Sequence, residues 1–567
     1  MSKVAVVSVE QMRQIEAAAD AAGISYADMM ENAGQAVALR VLQILAQLPD
    51  PADARVTLLI GPGNNGGDAM VAGRVIAEQS GALVRFYLLT RRPDDDPHLK
   101  AIRDKGLFVA FAEDDQRYRV LVNMVASAHV LVDGLFGIGL KLPLRDNVTK
   151  LLRAVHQALD EGEDVGEGRP IRLAYPAPHS ATRPYILAVD CPSGLDCDTG
   201  KLDKAALHAD ETVTFIAAKP GLFTFPGAEA VGQITVASAG VPANTAVLKD
   251  VQRSILDPDS ARALLPARPA DSNKGTFGKA LILAGSVNYT GAAGLSSRAA
   301  YRSGAGLVTV GAPEPTVAAL AGNVLEVTWL LFPHDMGVLS ADAAPPILKE
   351  AENYDALLMG PGWGREKTTR DLLTRLLSKS DQPTPQRSIG FGATPEPPPS
   401  KAADHKLPPL VIDADGLNLL SEIDEWWKLL PEMTILTPHP GEMARLAKTE
   451  TKDVQSRRWQ IAEEKAREWN VVLVLKGAHT LIAAPDGRVT ALPFKTSALA
   501  HAGTGDVLAG TIVGMLAQGL KPYEAALASG YLHGLAGEQA AAKLGSERSV
   551  LASDVIEALP AAFKQLS

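Results

Sequence analysis

Short runs of apolar, often β-branched residues alternate along most of this chain with longer stretches in which apolar residues recur at helical spacing. This spacing predicts helices over residues 9–22 and 26–45. The short apolar runs predict strands at 56–60, 84–89, 129–132, 185–189 and 212–216, and then at 280–283, 307–310, 356–359, 410–412, 434–436 and 471–475. Because strands and helices alternate, we expect an α/β fold of two three-layer αβα domains, with helices on both faces of parallel sheets.

Two large domains are expected because 567 residues exceed what one hydrophobic core supports. Gly240-Val241-Pro242 closes the first set of strands, and the segment 256–271, which follows it, contains three prolines. We therefore expect domains at 1–248 and 249–567. The segments 161–184 and 378–408 are polar and rich in proline, which predicts two insertions, the second a mobile surface loop.

Composition narrows the classes of partner. The chain has 55 basic and 65 acidic residues and a net charge of −10, which argues against binding to nucleic acid or to an anionic membrane surface. It contains no long apolar stretch that would predict a membrane span. The only cysteines, Cys191 and Cys197, form neither a disulfide framework nor a zinc motif. With no signal-peptide pattern at the N-terminus, we expect a cytoplasmic protein.

A glycine-rich loop follows the first predicted strand of the sheet. Gly61, Gly63 and Gly66 satisfy the G-x-G-x-x-G pattern of a dinucleotide pyrophosphate loop. Asp68 opposes that interpretation because it would place negative charge in the phosphate site, and the amides of Asn64 and Asn65 suit hydroxyls, a carboxamide or a hard cation better. Arg91 and Arg92 follow the next strand, either to meet a 2′-phosphate or merely to face solvent.

Oxygen-bearing side chains follow other strands of the first half. Asn65, Asp133 and Ser193 come from successive strand ends, and one carboxylate with neutral oxygens suits a monovalent cation better than zinc. The alternative is ordinary turn chemistry, because Asn, Asp and Ser all favour turns. Asp190, also at a strand end, is a candidate acid/base residue.

In the second half, Gly503-Thr504-Gly505-Asp506 precedes the apolar run 507–516. Small residues at the start of a helix favour anion binding, and Asp506 stands where a base beside a phosphate would be, which suggests phosphoryl transfer. The simpler alternative is that Asp506 is an N-cap in a tight turn. No P-loop motif is present.

Further glycine-rich or charged segments follow the other strands of this half, at 285–292, 360–364, 413–418, 437–442 and 476–480. Lys476 can meet phosphate as a point charge, and Glu442 with nearby carboxylates could hold Mg²⁺. Each residue alone has an ordinary explanation: Lys476 would cap the end of a buried strand, and His439 would be a packed turn histidine. Their convergence at one sheet edge favours a shared site.

Residues 8–242 resemble the NAD(P)H-hydrate epimerase family, through the Asn-Asn-Gly-Gly-Asp block at 64–68 and the Asp-x-Pro-Ser-Gly block at 190–194. The resemblance implies a Rossmann-like domain that interconverts the R and S hydrates of NADH and NADPH, with K⁺ on Asn65, Asp133 and Ser193. It implies the following substrate contacts: Asn64, Asn65, Gly66, Gly67, Asp68, Gly137, Ile138, Gly139, Leu140, Lys141, Leu142, Pro143 and Asp190.

Residues 252–564 resemble the ADP/ATP-dependent NAD(P)H-hydrate dehydratase family of the ribokinase-like fold, through six ordered blocks that end with Gly503-Thr504-Gly505-Asp506. The resemblance implies hydrate binding at Ala292, Gly362, His439 and Asp506. Adenine-nucleotide binding is implied at Lys476, Gly477, Ala478, His479, Thr480 and Gly505. Two departures are Asn273, where the family has His, and His501-Ala502, which replaces a glycine-rich lead.

Together the resemblances imply a bifunctional repair enzyme whose substrates are NADHX, NADPHX and ADP, with K⁺ and Mg²⁺ as cofactors and Asp506 and Asp190 as catalytic residues. We expect a homo-oligomer, and ADP rather than ATP, although the sequence is compatible with both nucleotides. Three alternatives stay open: a vitamin-precursor kinase in the second half, a non-catalytic binding module in the first, and an NADP dehydrogenase.

Overall fold

The computed structural model describes residues 4–161, 183–242, 245–378 and 407–567. The expected insertions at 161–184 and 378–408 lie almost wholly outside these residues. Two compact units divide the described chain, Ser2–Val251 and Gln252–Ser567, three residues beyond the boundary drawn from the sequence. No helix in the described ranges is long and apolar enough to cross a membrane.

The N-terminal unit alternates strands and helices. Its strands are β1 (Val4–Ala5), β2 (Arg55–Ile60), β3 (Leu83–Leu88), β4 (Phe108–Phe111), β5 (Val130–Gly134), β6 (Tyr185–Val189), β7 (Glu211–Phe215) and β8 (Gln233–Ala237). Its helices are α1 (Val9–Ala21), α2 (Tyr26–Leu45), α3 (Asn64–Gln79), α4 (Pro97–Asp104), α5 (Arg119–Ala126), α6 (Asp146–Glu161), α7 (Gly227–Ala230) and α8 (Ala246–Lys249).

Seven of these strands form one parallel sheet in the order β4-β3-β2-β5-β6-β7-β8. Side chains of a strand alternate between faces, and both faces of β2 are buried. Leu58 and Ile60 belong to the apolar core that includes α2 and α3, whereas Leu59 belongs to the core that includes α5 and α6. The strand order reverses between β2 and β5, which is where sheets of this kind bind ligands.

The C-terminal unit repeats the alternation. Its strands are β9 (Arg253–Ile255), β10 (Lys279–Leu283), β11 (Leu307–Ala312), β12 (Thr328–Leu331), β13 (His334–Asp335), β14 (Val338–Leu339), β15 (Ala356–Met359), β16 (Leu410–Ile412), β17 (Ile435–Leu436), β18 (Val472–Leu475), β19 (Leu481–Ala483) and β20 (Val489–Ala491). Its helices are α9 (Pro258–Ala263), α10 (Thr290–Arg302), α11 (Glu314–Leu320), α12 (Ala344–Ala351), α13 (Lys367–Leu377), α14 (Asp415–Leu420), α15 (Pro440–Leu446), α16 (Thr451–Ser456), α17 (Arg458–Trp469), α18 (Thr504–Ala517), α19 (Pro522–Leu544) and α20 (Ala552–Leu566).

Its main sheet runs in the order β9-β20-β19-β18-β17-β16-β15-β10-β11-β12. The strands from β18 to β12 pair in parallel, but β19 pairs antiparallel to both β18 and β20. The expectation of purely parallel sheets is therefore wrong at this edge. The linkers 476–480 and 484–488 are too short for a crossover helix, so the chain turns back as a hairpin.

The α/β fold expected from the hydrophobic pattern is confirmed, and every predicted strand occurs within two residues of its expected ends. Helix α18 explains the apolar run 507–516 of the sequence. All of its residues from Val507 to Ala517 are buried, so this helix is part of the core rather than of the surface. The strands β1, β4, β8, β9, β12, β13, β14, β19 and β20 were not predicted.

Candidate functional sites

In the N-terminal unit, the backbone of the glycine-rich loop after β2 packs directly against other backbone atoms. A Cβ on Gly61 would lie 1.7 Å from the carbonyl oxygen of Leu135, and one on Gly66 would lie 2.1 Å from the carbonyl oxygen of Gly61. Arg92 donates to the carbonyl oxygens of Gly61 at 3.0 Å and Gly63 at 2.7 Å. These glycines permit close approach of backbone to backbone, and Arg92 is engaged in holding the loop.

The three side chains proposed as cation ligands come from the ends of β2, β5 and β6. Asp133 is fully buried, and its carboxylate accepts hydrogen bonds from the backbone N–H and the hydroxyl of Ser193 at 2.7 and 2.6 Å. Burial raises the pKa of Asp133, although the bonds from Ser193 oppose the shift. Both polar atoms of the Asn65 amide are buried without a hydrogen-bond partner among the residues that the structure describes. A bound ligand would satisfy that amide.

Asp190, directly after β6, is held by a buried lysine. Its Oδ1 accepts from Lys219 Nζ at 2.7 Å and from Thr214 Oγ1 at 3.0 Å, and its Oδ2 accepts from the backbone N–H of Ile138 at 3.2 Å. Lys219 is 1% exposed and also donates to Thr214 and to the carbonyl oxygen of Phe215. Asp190 has a φ of +65°, a conformation that costs free energy in a residue with a side chain.

These groups open into a pocket of about 370 Å³ at the strand ends. Its lining includes the predicted residues Asn64, Asn65, Asp68, Gly137, Ile138, Gly139, Leu140 and Asp190. Burial, followed by the charges of Asp190 and Glu16, raises the pKa of Asp68 well above its usual range. Gly66 and Gly67 are buried and do not line this pocket, and Lys141 lines a neighbouring cavity. Leu142 and Pro143 line neither.

Sequence reasoning missed Glu16 and Arg13, which enter this pocket from α1. It also gave no role to Lys219, which lines the same pocket. Burial and the charge of Asp190 raise the pKa of Glu16, while Lys219 and Arg13 oppose this. Glu16 and Arg13 were hard to identify from the sequence, because a charged residue on an amphipathic helix ordinarily faces solvent.

In the C-terminal unit, Gly503 makes the turn into α18. It has a φ of +90°, and a Cβ there would lie 2.7 Å from Leu295 Cδ1. Thr504 Oγ1 donates to the carbonyl oxygens of Leu499 and His501, both at 2.8 Å, which fixes the start of the helix. Asp506 lies in the first turn.

Asp506 is surrounded by other charged groups. Lys476 Nζ lies 2.8 Å from Asp413 Oδ1 and 3.8 Å from Glu442 Oε2. Burial would lower the pKa of Lys476, but Asp413 and Glu442 outweigh it and raise the pKa. Burial, reinforced by the charge of Asp413, raises the pKa of Asp506 to about 7. A carboxyl group that titrates near neutral pH is suited to proton transfer.

His439 caps α15 beside this cluster. Its Nδ1 accepts from the backbone N–H of Gly441 at 3.0 Å, and its Nε2 lies 3.4 Å from Glu442 Oε1. Burial and the charge of Lys476 lower the pKa of His439, so the ring is neutral at pH 7. Because Nδ1 accepts, Nε2 carries the proton and faces the carboxylate.

The predicted hydrate contacts Ala292 and Gly362 lie against each other. A Cβ on Gly362 would lie 2.8 Å from Ala292 Cβ and from the carbonyl oxygen of Tyr289, and Gly362 has a φ of +64°. The two residues leave no room for a larger side chain between α10 and the loop after β15.

A pocket of about 180 Å³ lies next to Lys476. The predicted nucleotide contacts Lys476, Gly477, Ala478, Thr480 and Gly505 line it. His479 does not, because its ring is buried with Nδ1 3.2 Å from the carbonyl oxygen of Leu492. The apolar walls come from Leu492, Phe494, Leu499 and Leu508.

His533, from α19, also lines this pocket and was not predicted. Its Nε2 lies 2.9 Å from the carbonyl oxygen of Thr504, and burial lowers its pKa to about 4. A neutral histidine here donates to the first turn of α18. The hydrophobic pattern of α19 gave no sign of this contact, because His533 looks like one more buried position.

The two departures from the family pattern have local roles. Asn273 caps a short turn, its side chain accepting from the backbone N–H of Gly275 at 2.8 Å. His501 Nδ1 lies 3.4 Å from the carbonyl oxygen of Ala498. Within the described ranges, no three His, Cys, Asp or Glu side chains form a cluster that would hold a metal ion by themselves.

Comparison with known proteins covers both units. The family described as NAD(P)H-hydrate dehydratase matches residues 280–383 and 389–561, and the family described as YjeF-related protein N-terminus matches residues 26–221. The bifunctional NAD(P)H-hydrate repair enzyme Nnr of Moorella thermoacetica is 34% identical over 95% of this chain and 92% of that protein. The protein of that name from Escherichia coli is 30% identical over 96% of this chain and 90% of its own length.

A solved structure also matches. The ADP/ATP-dependent NAD(P)H-hydrate dehydratase from Bacillus subtilis, co-crystallised with ATP and Mg²⁺, is 31% identical. The match covers 55% of this chain and 98% of that one, with a TM-score of 0.44.

Proposed function

This chain belongs to the family of bifunctional NAD(P)H-hydrate repair enzymes, and from that premise we propose that each unit catalyses one step in the repair of hydrated NADH and NADPH. The N-terminal unit (expected as 1–248) epimerises the R and S hydrates. The C-terminal unit (expected as 249–567) dehydrates the S hydrate with ADP and releases NAD(P)H, AMP and phosphate. The observation that carries the proposal is that Asp506 lies within electrostatic reach of Lys476, which together with Gly505 lines a pocket with apolar walls.

In the dehydration, Asp506 takes the proton of the ring hydroxyl, whose oxygen then attacks the terminal phosphorus of ADP. AMP leaves, and loss of phosphate together with a proton from the adjacent ring carbon restores the double bond. Lys476 and the N-terminal backbone N–H groups of α18 stabilise the charge on the phosphoryl oxygens. Positioning of the two reactants supplies much of the rate.

In the epimerisation, a bond at the carbon that bears the hydroxyl breaks and re-forms, which requires a proton to be supplied and returned. Asp190 is positioned for this role because Lys219, Thr214 and the Ile138 N–H fix both of its oxygens. Asp68 and Glu16, with their raised pKa values, are further proton carriers in the same pocket.

The cation proposed for the epimerase unit is K⁺ on Asn65, Asp133 and Ser193. The unpaired amide of Asn65 and the fully buried carboxylate of Asp133 fit a monovalent ion with oxygen ligands. Such an ion would supply positive charge next to the substrate-binding loop.

Mg²⁺ is proposed for the dehydratase unit. Asp413 and Glu442, both buried, and Asp506 lie within electrostatic reach of one another around a single lysine, which fits a cation that arrives with the nucleotide. When bound, the ion would neutralise phosphate charge. The carboxylates of this chain would orient it.

The proposal is tested by supplying a mixture of R and S NADPH hydrates together with ADP and Mg²⁺. We expect the absorbance of reduced nicotinamide to recover from the whole mixture, because the epimerase feeds the stereospecific dehydratase. Asp190→Asn should limit rapid recovery to the S fraction. Release of inorganic phosphate separates a dehydratase from a vitamin-precursor kinase, which would release a stable phosphorylated alcohol.

Two arms complete the assay. Replacing potassium chloride with choline chloride should slow recovery from the R fraction only. Comparing ADP with ATP decides the phosphoryl donor. Recovery from half of the mixture by the unmodified chain would contradict the epimerase proposal, and no recovery would contradict both. We also propose a homo-oligomer located in the cytoplasm, which sedimentation and cell fractionation would test.

A further inference from the structure

A second pocket adjoins the first in the N-terminal unit. It measures about 300 Å³ and shares Pro62, Phe136, Gly139 and Leu140 with the pocket that contains Asp190. We call it the distal pocket. Because these four residues line both pockets, the pockets are adjacent, and one elongated ligand can occupy both.

The two pockets differ in charge. The lining of the distal pocket carries two cations, Lys141 and Arg145, and no carboxylate. Neither cation pairs with a carboxylate among the residues that the structure describes. The first pocket, by contrast, is lined by three carboxyl groups, those of Glu16, Asp68 and Asp190, and by two cations, Arg13 and Lys219, of which Lys219 is paired with Asp190. Coulomb's law therefore favours a phosphate-bearing group in the distal pocket and a neutral group in the first.

The remaining lining of the distal pocket suits a nucleobase. Leu89, Leu144 and Val148 form a buried apolar wall, and Thr90 and Asn147 add polar groups at its edge. A mostly apolar cavity with a few polar groups is typical of sites that bind a small planar ligand.

We propose that the distal pocket binds the adenylate half of the hydrated dinucleotide while the hydrated nicotinamide ring occupies the first pocket. Lys141 and Arg145 contact the phosphates, and the apolar wall receives the adenine. This inference rests on the proposed epimerase function and specifies how that unit recognises its substrate. The uncharged hydrated ring thereby reaches the acid-lined pocket, and the phosphates stay away from its carboxylates.

The test compares two substrates of the full-length chain: NADPH hydrate, and the hydrate of reduced nicotinamide riboside, which lacks the phosphates and the adenosine. Epimerisation is followed by separating the R and S forms. The double variant Lys141→Ala/Arg145→Ala should raise the KM for NADPH hydrate about tenfold or more and leave the KM for the riboside hydrate unchanged. Asn147→Trp, which fills the distal pocket from an exposed helical position, should act in the same way.

The matched control is Lys150→Ala/Arg153→Ala, which removes the same charge from exposed positions of α6 outside the pocket lining and should change neither KM. An unchanged KM for NADPH hydrate in both pocket variants, or an equal rise for both substrates, would overturn the distal-pocket proposal alone. Failure of the unmodified chain to epimerise either hydrate would overturn the proposed function and this inference with it.

Discussion

At the scale of single residues, the dehydratase chemistry is concentrated on Asp506. Its pKa of about 7 arises from burial and from Asp413, while Lys476 lies close enough to stabilise the ionised form. Asp506→Asn keeps the shape of the side chain but removes its ability to accept a proton. We expect dehydration to slow by roughly a hundredfold to ten-thousandfold, the range typical of a lost general base. The rate of phosphate release from S hydrate measures it.

Two readouts should not change in that variant. Stabilisation of the chain by ADP against heat should persist, because the pocket walls are intact, and the epimerase rate should equal that of the unmodified chain. Full dehydration activity in Asp506→Asn would show that another group accepts the proton.

Residues that follow strands were accessible to sequence reasoning, since turn chemistry and polar residue types mark them. Asn65, Asp190 and Lys476 belong to this class, Asp133 lies near the end of β5, and Asp506 was marked by the glycine turn at the start of α18. Glu16 and His533 were not accessible, because they lie inside helices at positions whose neighbours come from distant parts of the chain. His479 is the opposite case, because the family resemblance implied that it contacts the nucleotide. Its ring is instead buried, with Nδ1 3.2 Å from the carbonyl oxygen of Leu492.

At the scale of elements, the loop after β2 depends on glycine for packing more than for ligand approach. A Cβ on Gly61 would lie 1.7 Å from a backbone oxygen of Leu135, which cannot move without shifting β5. We expect Gly61→Ala to destabilise the N-terminal unit by about 3 kcal/mol or more, through overpacking. Urea unfolding measures the change.

Gly63→Ala is the matched control from the same loop. A Cβ there meets nothing within 4 Å, and the φ of −92° is open to any residue. The expected change is within about 0.5 kcal/mol. Equal destabilisation by the two substitutions would contradict the packing account.

Element type was predictable wherever apolar runs were long and buried on both sides, as in β2 and β10. The missed elements lie mostly toward the sheet edges. Strands β4 and β12 are partly exposed, and β19 and β20 are only three residues long. Their pairing is set by the hairpin connections and the neighbouring strand, which a local pattern does not contain.

At the scale of the whole molecule, each unit has its own core and its own set of site residues. We therefore expect residues 1–251 and 252–567 to fold when expressed separately. The first should retain epimerase activity and the second dehydratase activity. Mixing them should restore recovery from the whole hydrate mixture, measured by absorbance.

Loss of either activity on separation would contradict this independence. Circular dichroism and thermal melting of each half distinguish a chain that fails to fold from a folded half that has lost its activity. The intact chain, assayed at the same molar concentration, is the reference.

Helix α18 carries Asp506 on its first turn while the rest of its length lies in the apolar core. Anything that loosens the interior must therefore tilt or release the reacting carboxylate at the same moment. In the C-terminal half, inactivation by heat should coincide with melting instead of preceding it, unlike enzymes whose reacting groups sit on detachable surface segments.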